Sequence, residues 1–146
     1  MHHCSIVEEA SEADLAVLIE GVIRYGRSLA VGGDARPIAC FVRDERDIVA
    51  GASGRTEFNR LFVDYLWVDE TLRSHGLGSK VLSKLEMAAF KRGCIDALIE
   101  TLNDRTAELY ARLGYRQVAK IPRYVGSFTR HVLVKSIAGA CVEIGA

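Results

Sequence analysis

The stretch that decides the fold spans residues 66–78 and reads Leu-Trp-Val-Asp-Glu-Thr-Leu-Arg-Ser-His-Gly-Leu-Gly. An apolar strand ends here, a short polar turn follows, and an amphipathic helix begins at the glycines. Glycines let the main chain approach a phosphate closely, while the free amides and positive dipole end of a helix attract an anion. This stretch therefore predicts an anion site built largely from backbone groups.

The turn contains the motif Arg73-x-x-Gly76-x-Gly78, which differs from two other phosphate loops. A dinucleotide-binding fingerprint would need a third glycine at Val81. A Walker loop would need a glycine five residues before Gly78 and a lysine next to it, whereas Lys80 stands two places on. Taken alone the motif is a weak signal, because glycines follow strands in many folds.

Length and composition are those of an ordinary globular protein. The chain has 146 residues, of which 49% are apolar and 26% charged, enough to bury a core without disulfides or a structural metal. Nineteen basic residues balance nineteen acidic ones, so no global field attracts nucleic acid or an anionic membrane. No signal-peptide pattern or membrane-length apolar run is present. We therefore expect one cytoplasmic domain over residues 1–146, with neither nucleic acid nor membrane as a partner.

The four cysteines, Cys4, Cys40, Cys94 and Cys141, are scattered along the chain. They form no Cys-x-x-Cys pair and have no histidine in ligand spacing, so no metal site is predicted. Cys40 and Cys94 lie in apolar runs, where a free thiol behaves as a small hydrophobic group. We expect all four to be reduced, as is usual in the cytoplasm.

Hydrophobic periodicity and turn signals predict the order β-α-β-β-β-α-β-α-β-β, an α+β fold in which helices flank a mixed central sheet. A short strand at Ile6 and Val7 opens it. Ser11 and Asp14 then form a capping box for a helix that ends near Tyr25. Next come the strands of a hairpin and a long apolar strand, over residues 38–42, 48–52 and 61–68.

The helix after Gly76 carries apolar residues at helical spacing, namely Leu77, Val81, Leu85 and Ala88, with Leu82 and Ala89 beside them. It ends at Gly93. A strand, a helix and two more strands follow over residues 95–102, 103–113, 115–121 and 129–137. We expect the strand before the glycine turn to lie in the middle of the sheet, next to the strand after its helix. Residues 138–146 form a small, apolar C-terminal tail whose role the sequence does not reveal.

A second motif begins 25 residues after Gly78, where Asn103 is followed by Tyr110 and then by Leu113-Gly114-Tyr115. Together the two motifs resemble the GCN5-related N-acetyltransferase (GNAT) superfamily, the acyl-CoA-dependent transferases. The first is similar to that family's pyrophosphate loop, (Gln/Arg)-x-x-Gly-x-(Gly/Ala). The second is similar to its later motif, Asn, then Tyr, then Leu-Gly-(Phe/Tyr). The resemblance covers residue 60 to about residue 135 and implies a GNAT-like fold; Thr106 departs from it, since many members carry alanine there.

The resemblance also implies acetyl-CoA as the cosubstrate and a set of residues that bind it. Leu66 and Val68 would pair their backbone with the pantetheine arm at a splay between two strands. Asn103 would hydrogen-bond the pantetheine, and Tyr110 would lie near the thioester sulfur. The pyrophosphate would be wrapped chiefly by the amides of Arg73, Ser74, His75, Gly76, Leu77, Gly78 and Ser79.

Acetylation of an amine from a thioester needs a stabilised oxyanion, a proton for the thiolate and a neutral amine. The Val68 amide is the candidate oxyanion donor. Tyr110 is the candidate general acid, since a phenol with a pKa near 10 is reasonably matched to a thiolate. Strand alternation puts Asp64 on one face with Leu66 and Val68, which makes it a candidate general base facing the cleft. A solvated aspartate fits Asp64 equally well, and Glu57 is a weaker candidate for the base.

The same alternation directs Tyr65 and Trp67 to the opposite face, where core packing is expected. His131 fits a plain surface residue as well as a functional one. The acceptor site is expected opposite the CoA, between a loop over residues 25–37 and a segment over residues 122–130. That segment has the composition of a specificity loop, though a plain strand connector fits as well. Candidate lining residues are Tyr25, Arg27, Tyr124 and Phe128, and Arg27, Arg123 and Arg130 suggest some negative charge on the acceptor.

The resemblance thus implies an N-acetyltransferase that moves an acetyl group from acetyl-CoA to a primary amine of a small molecule or peptide. Neither motif contains a cysteine, which favours direct transfer in a ternary complex over an acyl-enzyme. A non-catalytic acyl-CoA-binding regulatory or sensor module with the same fold is the alternative. The sequence does not specify the acceptor, and it is compatible with a homodimer.

Overall fold

The computed structural model describes residues 1–29 and 33–138. The chain divides into two compact units, Met1–Val31 and Gly32–Ala146. Part of the expected loop over residues 25–37 lies outside the described residues, as do Cys141 and all but the first residue of the C-terminal tail. No helix in the described ranges is both long and apolar enough to cross a membrane.

The first unit contains the helix α1, Glu12–Leu29. Ser11 caps it as predicted, because its Oγ accepts a hydrogen bond from the Asp14 amide at 3.1 Å. The helix continues past the predicted end near Tyr25, since the one glycine there costs only about 1 kcal/mol relative to alanine. The expected strand at Ile6 and Val7 is not seen, and these residues are 92% and 66% exposed. Two apolar residues fall short of the three or more that strands usually have.

The second unit is built on a six-stranded sheet in the order β1-β2-β3-β4-β6-β5. The parallel pair is β3 with β4, and the other neighbours are antiparallel. The predicted α+β class is confirmed, with β3 mid-sheet beside the strand that follows its helix. The strands are β1 (Arg36–Asp44), β2 (Asp47–Glu57), β3 (Arg60–Val68), β4 (Asp96–Thr101), β5 (Arg116–Val125) and β6 (Phe128–Ser136).

Two helices cross between strands of this sheet, α2 (Leu77–Lys91) from β3 to β4 and α3 (Asp104–Arg112) from β4 to β5. Each of these helices leads to a strand that lies further toward β5 in the sheet order. Because such crossovers are right-handed, both helices lie on the same face of the sheet. On α2 the buried apolar stripe consists of Val81, Leu82, Leu85 and Ala89. Ala88, expected to face inward, is exposed because it lies off this stripe.

The expectation that Tyr65 and Trp67 pack in the core is wrong, because the helices cover the other face of β3. Tyr65 and Trp67 are 76% and 48% exposed rather than packed in the core. Their neighbours Leu66 and Val68 pack against the core on the face with α2 and α3. Tyr65 and Trp67 therefore lie on the face of β3 that neither of these helices covers.

A buried charged network ties α2 to the chain before β5 and to β6. Glu86 is 6% exposed and accepts hydrogen bonds from the Tyr115 hydroxyl and from Lys135 Nζ, each at 2.8 Å. Lys135 Nζ also lies 5.7 Å from the centre of the Tyr115 ring. Burial and the charge of Glu86 raise the pKa of Tyr115, so its hydroxyl remains a donor at neutral pH.

We expect Tyr115→Phe to lower the free energy of unfolding by about 1.5–3 kcal/mol, the usual contribution of a hydrogen bond to a charged group. The variant should still fold, because Lys135 continues to neutralise Glu86. Urea unfolding followed by circular dichroism measures the change. The control is Tyr124→Phe at an exposed ring, which should change stability by less than about 0.5 kcal/mol. Equal midpoints for the two variants would contradict a stabilising role for this network.

Candidate active site

The site begins where β3 and β4 separate. The two strands pair only from Arg60 to Phe62 on β3 and from Asp96 to Leu98 on β4. At this closed end, the Arg60 guanidinium binds the Asp96 carboxylate through two hydrogen bonds of 2.7 and 2.8 Å. Beyond Phe62 the described strands diverge, so the predicted splay is present and opens into a cleft.

Backbone groups of β3 line this cleft. The Asp69 amide donates to the Val49 carbonyl of β2 at 2.8 Å, so alternation turns the amides of Leu66 and Val68 to the other side. The Val68 carbonyl points to the same side as the Val68 amide, and it accepts a hydrogen bond from Arg73 Nε at 3.0 Å. No described strand pairs with β3 on this side beyond Phe62. The Leu66 and Val68 amides therefore face the cleft, ready to bond a ligand.

A β-bulge at Asp64 interrupts the alternation on β3. Tyr65 pairs with Ser53 and Val63 with Gly54, which leaves Asp64 as the extra residue. The expectation that Asp64 shares a face with Leu66 and Val68 is therefore wrong.

The Asp64 carboxylate instead lies 3.9 Å from the Arg55 guanidinium, which stacks 4.1 Å from the centre of the Phe62 ring. The same Arg55 donates to Glu57 at 3.0 Å, so Glu57, the weaker candidate for the base, is held in an ion pair.

Asp64 nevertheless reaches the cleft. A cavity of about 470 Å³ is lined by residues 63–67 of β3 and 99–101 of β4, with Thr106 and Tyr110 of α3. A neighbouring cavity of about 480 Å³ shares residues 63–65, 100 and 101 and adds Leu102 and Arg130. The structure thus brings Asp64 and Tyr110 to one cavity and adds Glu100, which the sequence did not single out.

Tyr110 is one of the residues that line this cavity. The residue is only 5% exposed, and its hydroxyl has no hydrogen-bond partner among the described residues. Every fully buried polar side-chain atom in the described part of the chain does have one. The Tyr110 hydroxyl is therefore not fully buried, and the residue lines the cavity. Burial raises the pKa of Tyr110, so the hydroxyl keeps its proton at neutral pH.

The predicted anion loop leads into α2 with the geometry that such a site needs. Ser74 and Gly76 have left-handed φ angles of 67° and 80°, and Gly76 is the residue before the helix. The first intrahelical bond runs from the Lys80 amide to the Gly76 carbonyl at 3.0 Å. The preceding amides of the helix, those of Leu77, Gly78 and Ser79, have no acceptor within the helix. Arg73, Ser74 and His75 are exposed around them.

Gly78 fits the close approach of a ligand. A Cβ at this position would meet only Val68 Cγ2, at 3.5 Å, which is an ordinary contact. The described residues thus do not require a glycine, even though glycine in a helix costs about 1 kcal/mol relative to alanine. The space leaves the backbone open to a group such as a phosphate.

Asn103 has a structural role that the sequence reading did not assign. Its Oδ1 accepts from the Thr106 amide at 3.0 Å, and its backbone amide donates to Thr101 Oγ1 at 3.1 Å. It therefore caps α3. Since Oδ1 is engaged, its Nδ2 is the side-chain group left to bind a ligand.

The residues expected to line the acceptor site fall in both units. Tyr25, 70% exposed, and Arg27 lie on α1 rather than in a loop. Tyr124 and Phe128 belong to the β5–β6 hairpin, 47% and 59% exposed. Pairing continues to Val125 and Phe128, so most of the segment 122–130 is strand rather than a specificity loop.

Two polar groups on β6 are also engaged. Arg130 pairs with Glu100 across from β4, and its guanidinium lies 4.8 Å from the centre of the Tyr124 ring. His131 is 7% exposed rather than a surface residue, bonded to Asp104 at 2.7 Å and to Gln117 at 2.5 Å. Both of its ring nitrogens are occupied, so it supports the start of α3.

The three cysteines among the described residues are not paired with one another. Cys94 is buried in the core, Cys40 is partly buried and Cys4 is exposed, and all three are free. Burial raises the pKa of Cys94, which keeps it a thiol. Within residues 1–29 and 33–138, no group of three or more His, Cys, Asp or Glu is placed to hold a metal ion.

Comparisons with known proteins agree on one family. The model of the acetyltransferase (GNAT) family matches residues 9–115. A blasticidin-S acetyltransferase of Streptomyces morookaense is 38% identical over 109 residues, which cover 71% of this chain and 80% of that protein. An acetyltransferase from Bacillus cereus has a crystal structure with a TM-score of 0.83 at 26% identity, covering 90% of this chain and 97% of its own. An aminoglycoside 6'-N-acetyltransferase complexed with coenzyme A shares the fold, with a TM-score of 0.61, 19% identity and coverage of 69% and 73%.

Proposed function

The chain belongs to the acetyltransferase (GNAT) family, and we propose that it transfers the acetyl group of acetyl-CoA to a primary amine of a small molecule or peptide. The observation that carries this proposal is the cavity between β3 and β4, which Tyr110 and Asp64 both line. The names of the blasticidin-S and aminoglycoside 6'-N-acetyltransferases support acetyl transfer, and the second supports nitrogen as the acceptor atom.

Acetyl-CoA binds along the cleft, where the residues present fit it. The free amides of Leu77, Gly78 and Ser79 and the positive end of α2 receive the pyrophosphate. The backbone of Leu66 and Val68 pairs with the amides of the pantetheine arm, and Asn103 Nδ2 donates to that arm. These interactions use mostly main-chain groups, so they depend on loop geometry more than on side-chain identity.

The chain's own groups perform the transfer at the inner end of the cleft. The Val68 amide stabilises the negative charge that develops on the acetyl oxygen. Asp64 takes a proton from the acceptor ammonium, directly or through water. The freed amine forms a bond to the acetyl carbon, the carbon–sulfur bond breaks, and Tyr110 gives its proton to the departing thiolate. The nitrogen then loses its extra proton, which returns through water to the Tyr110 oxygen and leaves a neutral amide. Transfer is direct in a ternary complex, because no cysteine lines the described part of the cleft.

Calorimetric titration with acetyl-CoA, followed by thiol release with a panel of primary amines, tests the proposal. We expect binding and amine-dependent release of free CoA. In Asp64→Asn, turnover at pH 7 should fall by about 10²-fold and recover partly at higher pH, where the amine is already neutral. Asp44→Asn at the exposed end of β1 is the matched control. Acetyl-CoA binding without turnover of any amine would favour the sensor module, and no binding at all would overturn the proposal.

A further inference from the structure

His131 is a buried polar residue beside the segment that joins β4 to α3. It lies on β6, is 7% exposed and pairs in register with Thr101, the last residue of β4. Two residues, Leu102 and Asn103, separate Thr101 from the first residue of α3. His131 therefore lies at the point where the chain leaves the sheet to form the helix that carries Tyr110.

Both ring nitrogens of His131 have a defined partner. Gln117 Nε2 lies 2.5 Å from Nδ1, and Asp104 Oδ1 lies 2.7 Å from Nε2. Because an amide nitrogen donates, Nδ1 accepts, and a neutral imidazole then carries its hydrogen on Nε2. His131 thus donates to Asp104, the first residue of α3, and connects β6 to the start of that helix.

The start of α3 depends on polar contacts more than the rest of the helix does. The buried residues of α3 are Ala107 and Tyr110, which both follow its first turn. Positions 104–106 of the first turn are exposed or half-buried. A short helix in a protein gains most of its stability from packing of an apolar face, so the first turn gains little in this way.

Two hydrogen bonds bracket Asn103. Its amide donates to Thr101 Oγ1 at 3.1 Å, and His131 holds the next residue, Asp104. On the basis of the proposed function, we propose that His131 is a positioning residue for acetyl-CoA, which acts through Asp104 to keep Asn103 where its Nδ2 donates to the pantetheine arm. Tyr110 is held by its own burial, so His131 acts on the binding of acetyl-CoA rather than on the chemical step.

The variant His131→Leu removes the bond to Asp104 and keeps an apolar group of similar size at the buried position. It should still fold, because Asp104, with 82% of its side chain exposed, and Gln117, also exposed, can bond water instead. We expect calorimetry to show an affinity for acetyl-CoA about fivefold weaker, the usual effect of losing one hydrogen bond. The KM for acetyl-CoA should rise while kcat changes by less than about twofold. His131→Gln, whose amide keeps a donor for Asp104, should restore the affinity.

Three further variants locate the effect. Asp104→Ala should weaken binding as His131→Leu does, and the double variant should be no weaker, because both changes remove the same bond. In Asn103→Asp the carboxylate still caps α3 but offers no Nδ2, so adding His131→Leu should cause no further loss of affinity. Glu108→Gln, at an exposed position one turn further along α3, should bind acetyl-CoA like wild type.

Hydrogen exchange gives a readout that needs no acetyl-CoA. The amides of Thr106 and Ala107, which both bond Asn103, should exchange faster in His131→Leu than in wild type. Unchanged exchange or affinity in His131→Leu, or a loss that His131→Gln does not reverse, overturns the inference while acetyl-CoA binding stands. A further loss of affinity when His131→Leu is added to Asn103→Asp overturns it as well, since His131 would then act elsewhere. If wild type does not bind acetyl-CoA, the proposed function falls and the inference with it.

Discussion

Replacing Tyr110 by phenylalanine is expected to lower kcat by about 10²–10⁴-fold, the usual contribution of a positioned general acid. The change removes one oxygen that no described residue bonds, so the ring can keep its packing at 6.0 Å from the Tyr115 ring. The dissociation constant of acetyl-CoA should therefore change little. Single-turnover kinetics with a saturating amine, read beside calorimetry, separate the two effects.

Tyr115→Phe is the matched control, because it removes the same atom from a buried tyrosine outside the cleft. It should lose stability but keep its rate at a temperature where it is folded. Because burial raises the pKa of Tyr110, the acid stays protonated beyond the pH range of an exposed tyrosine, and deprotonation of Tyr110 should not limit the wild-type rate at neutral pH. If Tyr110→Phe keeps the wild-type kcat, Tyr110 is not the general acid, and the thiolate takes its proton from water.

Local sequence signals were enough for most of the elements and for the position of the loop that is predicted to bind an anion. Each of these signals depends on residues that are close in sequence. The structure has the helix start after Gly76, the Ser11 cap of α1 and the apolar strand over residues 61–68 where the patterns predict them. The parallel pairing of β3 with β4 also follows, since a right-handed crossover through a helix leaves few alternatives.

The prediction for the Asp64 side chain was wrong because it assumed that side chains alternate between the two faces along all of β3, whereas the strand has a bulge at Asp64. A signal was present in the partner strand, where Gly54 lies in the interior of β2. A Cβ there would come within 1.9 Å of the Phe62 carbonyl, so only glycine fits this close approach. A glycine inside a strand is typical of a bulge or of close backbone contact. Interpreted as a sign of a bulge, Gly54 would have predicted that Asp64 does not share a face with Leu66 and Val68.

The pairings that complete the site join residues distant in sequence. Glu86 meets Tyr115 and Lys135, which lie 29 and 49 residues away, and Glu100 meets Arg130 at a separation of 30. No local pattern carries such information, because these contacts depend on strand order and register. For this reason Arg130 was expected to favour a negatively charged acceptor, although its charge is matched by Glu100 across the sheet.

Replacing Gly76 by aspartate should weaken acetyl-CoA binding by about 10³–10⁴-fold. Gly76 adopts φ 80°, which costs a residue with a Cβ about 1–2 kcal/mol. The new carboxylate would also lie beside the pyrophosphate, where like charges a few ångströms apart repel by about 3 kcal/mol at an effective dielectric constant of 20. No described atom lies within 4 Å of the added Cβ, so the loss should come from strain and charge rather than from a clash.

Two further variants separate these causes. Gly76→Ala carries the strain without the charge and should lose only about 5- to 30-fold in affinity. Gly93→Asp places the same charge at another left-handed glycine, φ 94°, past the opposite end of α2, and should leave the affinity for acetyl-CoA unchanged. Raising the salt concentration should recover part of the loss in Gly76→Asp and none in Gly76→Ala, since only repulsion between charges is screened. Equal affinities for Gly76→Asp and wild type would show that the amides at the start of α2 do not bind the pyrophosphate, and the anion site would then have to lie elsewhere along the cleft.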